Sequence, residues 1–173
     1  SEVFKDESRS PRSLKKGRIM AGAAPHIGVT KSPDLKVAII TASWHQDICD
    51  ALVAGAKRAC ADADVKVVEV FSVPGSFELP LAAQLAFEDG FDAVIVVGLV
   101  LRGETPHFDY VCQGVTQGVI DVQLKFSKPI GFGVLMCDSL DQALARSGQP
   151  GSKEDKGYDA GIAAISMVSL KRA

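Results

Sequence analysis

The chain has 173 residues, of which 47% are hydrophobic and 23% are charged, values typical of one globular domain. Its 19 basic and 21 acidic residues give a formal net charge of −2, which argues against binding nucleic acid or a membrane surface through an overall charge. The longest apolar run, Ala93–Leu101, is too short to span a bilayer, and we expect no secretory signal. The four cysteines form no C-x-x-C pair, which predicts buried thiols in a reducing compartment and a cytoplasmic protein.

The first 24 residues differ in composition from the rest. Residues 1–20 are rich in Lys and Arg and lack apolar periodicity, so they cannot offset the entropy lost on ordering. We expect a disordered basic tail at 1–24 and a single domain at 25–173. A solvated tail is favoured over an RNA-binding one, and Met20 is compatible with an initiator.

In the first half of the domain, strands alternate with helices. The β-branched run Lys36–Ala42 predicts a buried strand, and helical spacing of apolar residues predicts a helix over 46–62. Residues 65–73 predict a second strand that a Pro-Gly pair ends. A second helix is expected over 77–87, because its apolar period stops at an Asp-Gly turn signal.

The alternation continues through the second half. The clearest strand pattern covers 92–101, and a long helix over 108–126 stops at a Lys-Pro pair. A fourth strand is predicted at 130–137. Asp138 or Ser139 then caps a short helix that reaches residue 146, and a last helix over 156–171 ends in basic residues, as the helix dipole favours.

This order of elements predicts right-handed crossovers and a parallel sheet that is covered on both faces. The simplest arrangement is a flavodoxin-like, three-layer α/β/α sandwich with a four-stranded sheet in the order 2-1-3-4. Ligands bind such a sheet beyond the carboxyl ends of its strands, where the strand order reverses. We therefore expect a site where three segments meet: ASWH, SVPGSFELP and GLVLRGETPHFDYV.

Each candidate in these segments has both a functional and a structural interpretation. Trp44 is either a ring-stacking platform or a plug at the top of the sheet, and His107 is either an acid-base group or a structural histidine. His45 and Cys49 have the spacing of two metal ligands but lack a third, so we expect no metal site. Glu78 lies at a predicted helix start, where the dipole alone favours a carboxylate.

The residues also indicate a phosphate. The segment from Gly103 to Asp109 offers backbone N–H groups beside a predicted helix N-terminus, whereas Arg102 and Arg146 are ordinary surface charges unless an anion binds them. The sequence lacks G-x-G-x-x-G, G-x-x-x-x-G-K-[ST] and G-x-S-x-G motifs, which weakens dinucleotide, ATP and hydrolase interpretations. From the residues alone we expect an aromatic ring and a small phosphate bound near a histidine.

Five stretches resemble, in order, motifs of the 6,7-dimethyl-8-ribityllumazine synthase family. They are VPGSFELP at 73–80, GLVLRGETPHFDYVC at 98–112, PIGFGVL at 129–135, DQALARSG at 141–148 and DKG at 155–157. The resemblance extends over about 34–170, and its R-G-x-T-x-H-[FY]-D-Y-V segment is long and specific. It implies that 5-amino-6-(D-ribitylamino)uracil condenses with 3,4-dihydroxy-2-butanone 4-phosphate, releasing phosphate and water, without metal or organic cofactor.

The resemblance also implies residue roles. His107 would transfer protons, and Arg146 would pair with the phosphate. Residues of this subunit that would contact the pyrimidine or its ribityl chain are Trp44, Ser76, Phe77, Glu78, Val100, Leu101 and Arg102. Those that would hold the phosphate through backbone and hydroxyl donors are Gly103, Glu104 and Thr105. Those that a neighbouring subunit would supply are Phe132, Arg146 and Lys156.

Assembly is a further expectation from the resemblance. The long loop from Arg146 to Lys156 is typical of family members that form bare pentamers rather than sixty-subunit shells, so we expect a homopentamer with shared sites. The segment His26 to Thr30 is expected to pair with a neighbour's sheet. Riboflavin synthase is a candidate partner.

Two other functions stay open from the sequence. One is a flavin- or lumazine-binding relative with weak catalysis. The other is a flavodoxin-like electron carrier, which would require a Ser/Thr-rich phosphate loop where this chain has ASWHQD. A structural shell is also compatible with catalysis.

Overall fold

A computed structural model describes residues 28–172. The tail expected at 1–24, including Met20, and the beginning of the segment expected to pair with a neighbour lie outside the described residues. The rest of that segment, 28–30, is exposed and belongs to no strand.

A four-stranded parallel sheet in the order β2-β1-β3-β4 forms the middle layer, which confirms the predicted topology. Its strands are β1 (Lys36–Ala42), β2 (Val67–Val73), β3 (Ala93–Leu101) and β4 (Ile130–Cys137). β2 begins two residues later than predicted. The reason is local, because the N–H of Val65 donates to the carbonyl of Cys60 in the preceding helix instead of to a neighbouring strand.

Helices cover both faces of the sheet. Within the described residues they are α1 (Gln46–Asp62), α2 (Leu79–Glu88), α3 (His107–Phe126), α4 (Leu140–Leu144) and α5 (Lys156–Arg172). The helix expected from 77 opens instead with a 3-10 turn at Ser76–Glu78. Ser139 caps α4 by accepting a hydrogen bond from Gln142 N, and α4 stops two residues before the predicted end.

Alternation of side chains along the central strands builds two apolar layers. Ile39 of β1 packs in a cluster with Leu52 of α1 and Ile165 of α5. The next residue, Ile40, belongs to the cluster on the opposite face, together with Val115 of α3. The sheet is therefore buried on both sides. No helix within 28–172 combines the length and the apolarity needed to cross a membrane.

On one face, α1 and α5 touch through their backbones. A Cβ atom placed on Gly157 would overlap the carbonyl oxygen of Leu52, so only glycine allows this approach. A 2.7 Å hydrogen bond from Tyr158 Oη to Asp62 also joins these helices, and an ion pair between Arg58 and Asp155 joins α1 to the residue just before α5. These contacts fix the loop that precedes α5.

Substitution of Gly157 by alanine tests this close packing. Alanine favours a helix by about 1 kcal/mol over glycine, but the added methyl group meets a backbone oxygen that cannot move alone. We expect a net loss of about 2 kcal/mol in the free energy of unfolding and a fall in Tm of roughly 4–8 °C. Calorimetry at matched concentration measures the shift. Gly28→Ala, at a position with open space, is the control, and an unchanged Tm for Gly157→Ala would contradict the packing.

Candidate active site

Segments that follow β1, β2 and β3 meet at one edge of the sheet. Ser43 joins two of them, because its hydroxyl donates a 2.7 Å hydrogen bond to the carbonyl of Val73 at the end of β2. Its N–H also donates to the carbonyl of Pro74 at 3.4 Å. His45 follows with a left-handed backbone (φ 55°), rare for a residue other than glycine, and its carbonyl accepts the first hydrogen bonds of α1. The chain therefore turns sharply at this edge and leaves Trp44 projecting from it.

A cavity of about 650 Å³ lies at this edge. The predicted site residues that line it are Trp44, Ser76, Phe77, Glu78, Val100, Leu101 and His107. They come from three separate segments of the sequence. This is the place predicted from the reversal of strand order.

Three aromatic side chains at the cavity are largely exposed. Trp44, Phe77 and Tyr110 expose 66%, 62% and 72% of their surface. Exposed apolar surface that is concentrated in this way marks a site for a ligand or for another protein. The indole lies close to the loop at Gly75, where a Cβ atom would make an ordinary van der Waals contact with Trp44 Nε1 at 3.4 Å.

A polar atom at the cavity has no partner. Ser76 is 6% exposed, and its hydroxyl is buried without a hydrogen-bond partner among the described residues. Gly98 leaves room for this hydroxyl, since a Cβ atom there would lie 2.7 Å from Ser76 Oγ. An unsatisfied buried hydroxyl costs free energy unless something else bonds to it. It is therefore a ready contact for a polar group of a ligand.

Glu78 holds the 3-10 turn together from within the cavity. Its Oε2 accepts a 2.9 Å hydrogen bond from Gly75 N, and its own N–H donates to the carbonyl of Gly75 at 3.2 Å. This reciprocal pair fixes the direction of the carboxylate, so the role in the turn and the position at the cavity are compatible.

His107 is the first residue of α3 and lines the cavity. Its N–H donates a 3.4 Å hydrogen bond to the hydroxyl of Thr105. Gly103, Glu104 and Thr105 form an exposed loop that leads into this helix N-terminus, where backbone N–H groups and the helix dipole favour an anion. An imidazole and a potential phosphate site are thus adjacent along the chain.

Arg102 does not line the cavity. Its Nε donates a 2.6 Å hydrogen bond to Asp138, its Nη1 lies 3.5 Å from Asp109, and its guanidinium lies 4.3 Å from the ring centre of Phe108. The hydrogen bond to Asp138, reinforced by both carboxylates, raises the pKa of the guanidinium above its ordinary value. The side chain of Arg102 is therefore already bound to partners beside the cavity.

Six further predicted residues also lie outside this cavity: Gly103, Glu104 and Thr105 in the exposed loop before α3, and Phe132, Arg146 and Lys156. Phe132 is on the outermost strand β4 and is partly exposed. Arg146 donates to the carbonyl of Gln142 at 2.9 Å and lies 3.5 Å from Glu154, and Lys156 lies 3.1 Å from the same carboxylate. The cavity of one chain is thus formed without these groups.

Several cavity residues were not singled out from the sequence as ligand contacts. Tyr110 and Val111 lie three and four residues after His107, which places them on the same face of α3. That spacing could have identified them. Leu99 and His45 also line the cavity; Leu99 lies within the 98–112 motif, whereas His45 has no signal beyond its place after a strand end.

His45 and Cys49 do not belong to a larger ligand cluster. No group of three or more His, Cys, Asp or Glu side chains suited to a metal occurs within residues 28–172. Cys49 donates a 3.1 Å hydrogen bond to the carbonyl of Trp44, and burial raises the pKa of its thiol. Cys49 therefore supports the loop as a neutral thiol and is a poor nucleophile.

Comparison with known proteins assigns the family. Residues 34–172 match the sequence profile of 6,7-dimethyl-8-ribityllumazine synthase. The chain is 47% identical over 150 residues to the 6,7-dimethyl-8-ribityllumazine synthase of Streptomyces coelicolor, an alignment covering 87% of this chain and 93% of that protein. It is 51% identical over 142 residues to the enzyme of the same name from a Nocardioides species, covering 82% and 88% of the two chains. With both the profile and the strand-end motifs in agreement, the chain belongs to the 6,7-dimethyl-8-ribityllumazine synthase family.

Proposed function

We propose that the strand-end cavity is the place where this chain performs the reaction of its family. That reaction condenses 5-amino-6-(D-ribitylamino)uracil with 3,4-dihydroxy-2-butanone 4-phosphate to 6,7-dimethyl-8-ribityllumazine, a transferase step in riboflavin biosynthesis that requires no cofactor in this family. The observation that carries this proposal is that Trp44, Ser76 and His107 line one cavity, and that the hydroxyl of Ser76 has no hydrogen-bond partner within residues 28–172. An electron carrier would not need this combination.

The pyrimidine is proposed to bind between the aromatic side chains. Trp44 stacks on the ring, and Phe77 covers it from the 3-10 turn. The hydroxyl of Ser76 bonds to a polar edge of the ring, which removes the cost of its unpaired state. Glu78 contacts the ribityl hydroxyls, and the chain at Val100 and Leu101 closes the floor.

The ketone phosphate is proposed to bind on the His107 side. Gly103, Glu104 and Thr105 hold the phosphate at the N-terminus of α3. Holding the amine and the ketone in register can remove roughly 7–11 kcal/mol of the barrier. His107 then moves protons as the imine forms with loss of water and as the phosphate leaves.

A neighbouring subunit is proposed to complete the site. Family membership implies an oligomer, and we propose a homopentamer of single 25–173 domains that share their sites. Arg146 pairs with the phosphate through two parallel donors, while Lys156 and Phe132 approach the pyrimidine side. These three groups lie outside the cavity of their own chain, and in this proposal the copies from a neighbour reach it.

Further parts of the proposal concern assembly and compartment. β2 is an edge strand with exposed Val67, Val70 and Phe71, and residues 26–30 of a neighbour are proposed to pair with it. Riboflavin synthase, which would consume the product, is the proposed partner. All four cysteines are unpaired, which supports a cytoplasmic location.

Replacement of His107 by alanine tests the proton-transfer role. We expect kcat to fall about 10²–10⁴-fold, because general acid-base catalysis typically supplies that factor. The Kd for the pyrimidine should change little, since the aromatic contacts persist. Lumazine absorbance gives the rate, and equilibrium titration gives the Kd. His45→Asn, which removes the other imidazole at the cavity and tolerates a left-handed backbone, is the matched control. An unchanged rate for His107→Ala would make His107 structural.

Replacement of Arg146 by alanine tests the shared phosphate site. A charge-assisted hydrogen bond is worth about 1.5–3 kcal/mol, so we expect the KM for the butanone phosphate to rise roughly 10- to 100-fold while that for the pyrimidine stays close to normal. Mixed oligomers of Arg146→Ala and His107→Ala chains should regain activity, because some interfaces then combine both intact residues. Mixtures as inactive as their parents would place both residues in one chain's site.

The oligomeric state is measured independently. Sedimentation equilibrium should give a mass of about 92 kDa, five times the 18.3 kDa chain. A sixty-subunit mass would overturn the pentamer. A fully active monomer would overturn the shared site.

A further inference from the structure

Arg102 reaches His107 indirectly, through the residues that surround it. We propose that Arg102 is a positioning residue for the condensation. By pairing with Asp138 and Asp109 while it covers the ring of Phe108, it fixes the first turn of α3 and therefore the imidazole of His107. The inference rests on the proposed role of His107.

One side of the guanidinium is anchored to the end of β4. The N–H of Arg102 donates a 2.9 Å hydrogen bond to the carbonyl of Cys137, which continues the β3–β4 pairing beyond Leu101. Its Nε donates a 2.6 Å hydrogen bond to Asp138 Oδ1. Asp138 is held in turn, because its N–H donates a 2.7 Å hydrogen bond to Gln142 Oε1 of α4. These hydrogen bonds hold Arg102 in place at the end of β4.

The other side of the guanidinium contacts the two residues that follow His107. Its Nη1 lies 3.5 Å from Asp109 Oδ1, and its Cζ lies over the ring of Phe108, 4.3 Å from the ring centre. Phe108 is itself buried, and the N–H of Asp109 donates to the carbonyl of Pro106 at 3.0 Å. The contacts of Arg102 therefore restrain the first turn of α3, which carries the imidazole of His107.

The chain between Arg102 and His107 is exposed, and the bond from His107 N to Thr105 Oγ1 is long at 3.4 Å. A loop of this kind gives the helix start little support by itself. The guanidinium pairs with two carboxylates through different nitrogens and lies over an aromatic ring, a set of contacts that lysine cannot reproduce in full. It links the end of β4 directly to α3.

The effect is expected in the rate rather than in stability. The three charged side chains are about half exposed or more, and ion pairs in that setting contribute little to the free energy of unfolding. Catalysis is more sensitive, because misplacing a reacting group by about 1 Å can cost roughly 100-fold in rate.

Steady-state kinetics of the intact oligomer test the proposal. Arg102→Gln should lower kcat roughly 10- to 100-fold, with the KM for both substrates nearly unchanged. Asp138→Asn should give a smaller loss of the same kind, and Arg102→Lys should recover part of the kcat. Lys31→Gln, which removes a 3.5 Å ion pair with Asp64 away from the cavity, is the matched control and should leave kcat unchanged. A raised KM for the butanone phosphate at normal kcat would make Arg102 a phosphate ligand and overturn the proposal.

A double-mutant cycle decides whether Arg102 acts through His107. In the His107→Ala background, Arg102→Gln should cause no further loss of kcat. If the two losses multiply, the positioning role is wrong while the role of His107 stands. If His107→Ala alone keeps full activity, the proposed role of His107 is wrong, and the Arg102 proposal that rests on it is wrong as well. Should Arg102→Gln not fold, as judged by Tm and oligomer mass, the same cycle with Arg102→Lys gives the answer.

Discussion

The parallel pairing of β1 with both β2 and β3 governs the rest of the structure. Thr41 near the end of β1 pairs with Ser72 on one side and with Val97 on the other, so three neighbouring strands end at one edge of the sheet. The helices that follow depart to opposite faces, and a crevice opens between them. Side chains far apart in the chain, such as Trp44 and His107, meet there because of this topology.

Close backbone approach is the second constraint, and it serves both stability and the site. Gly157 allows α5 to lie against the backbone of α1, and Gly98 leaves space for the hydroxyl of Ser76 beside β3. The first contact consolidates one layer of the sandwich. At the second, a buried hydroxyl has no partner in the part of the chain that the structure describes, and such unsatisfied groups are expected at functional sites.

Charge is distributed unevenly around the cavity. The lining of the cavity is largely apolar and aromatic, whereas Arg146 and Lys156 are held by Glu154 outside it. A substrate with a phosphate group needs cations close to it, and in the proposed assembly a neighbouring chain supplies them. Arg102 lies beside the cavity, and its charge is already paired with two carboxylates. It is therefore better suited to orienting the first turn of α3 than to binding an anion.

The sequence by itself determined the elements, the strand order and the family, because β-branched runs, helical periods and turn signals are local, and motifs are contiguous. It also identified seven residues that line the cavity: Trp44, Phe77, Glu78 and His107 from their strand-end segments, and Ser76, Val100 and Leu101 through the resemblance to the family. Tertiary structure alone decided that Arg102 turns away to Asp138, and that the hydroxyl of Ser76 is buried without a partner within residues 28–172. The direction of a side chain depends on neighbours from distant segments, and no local pattern encodes them.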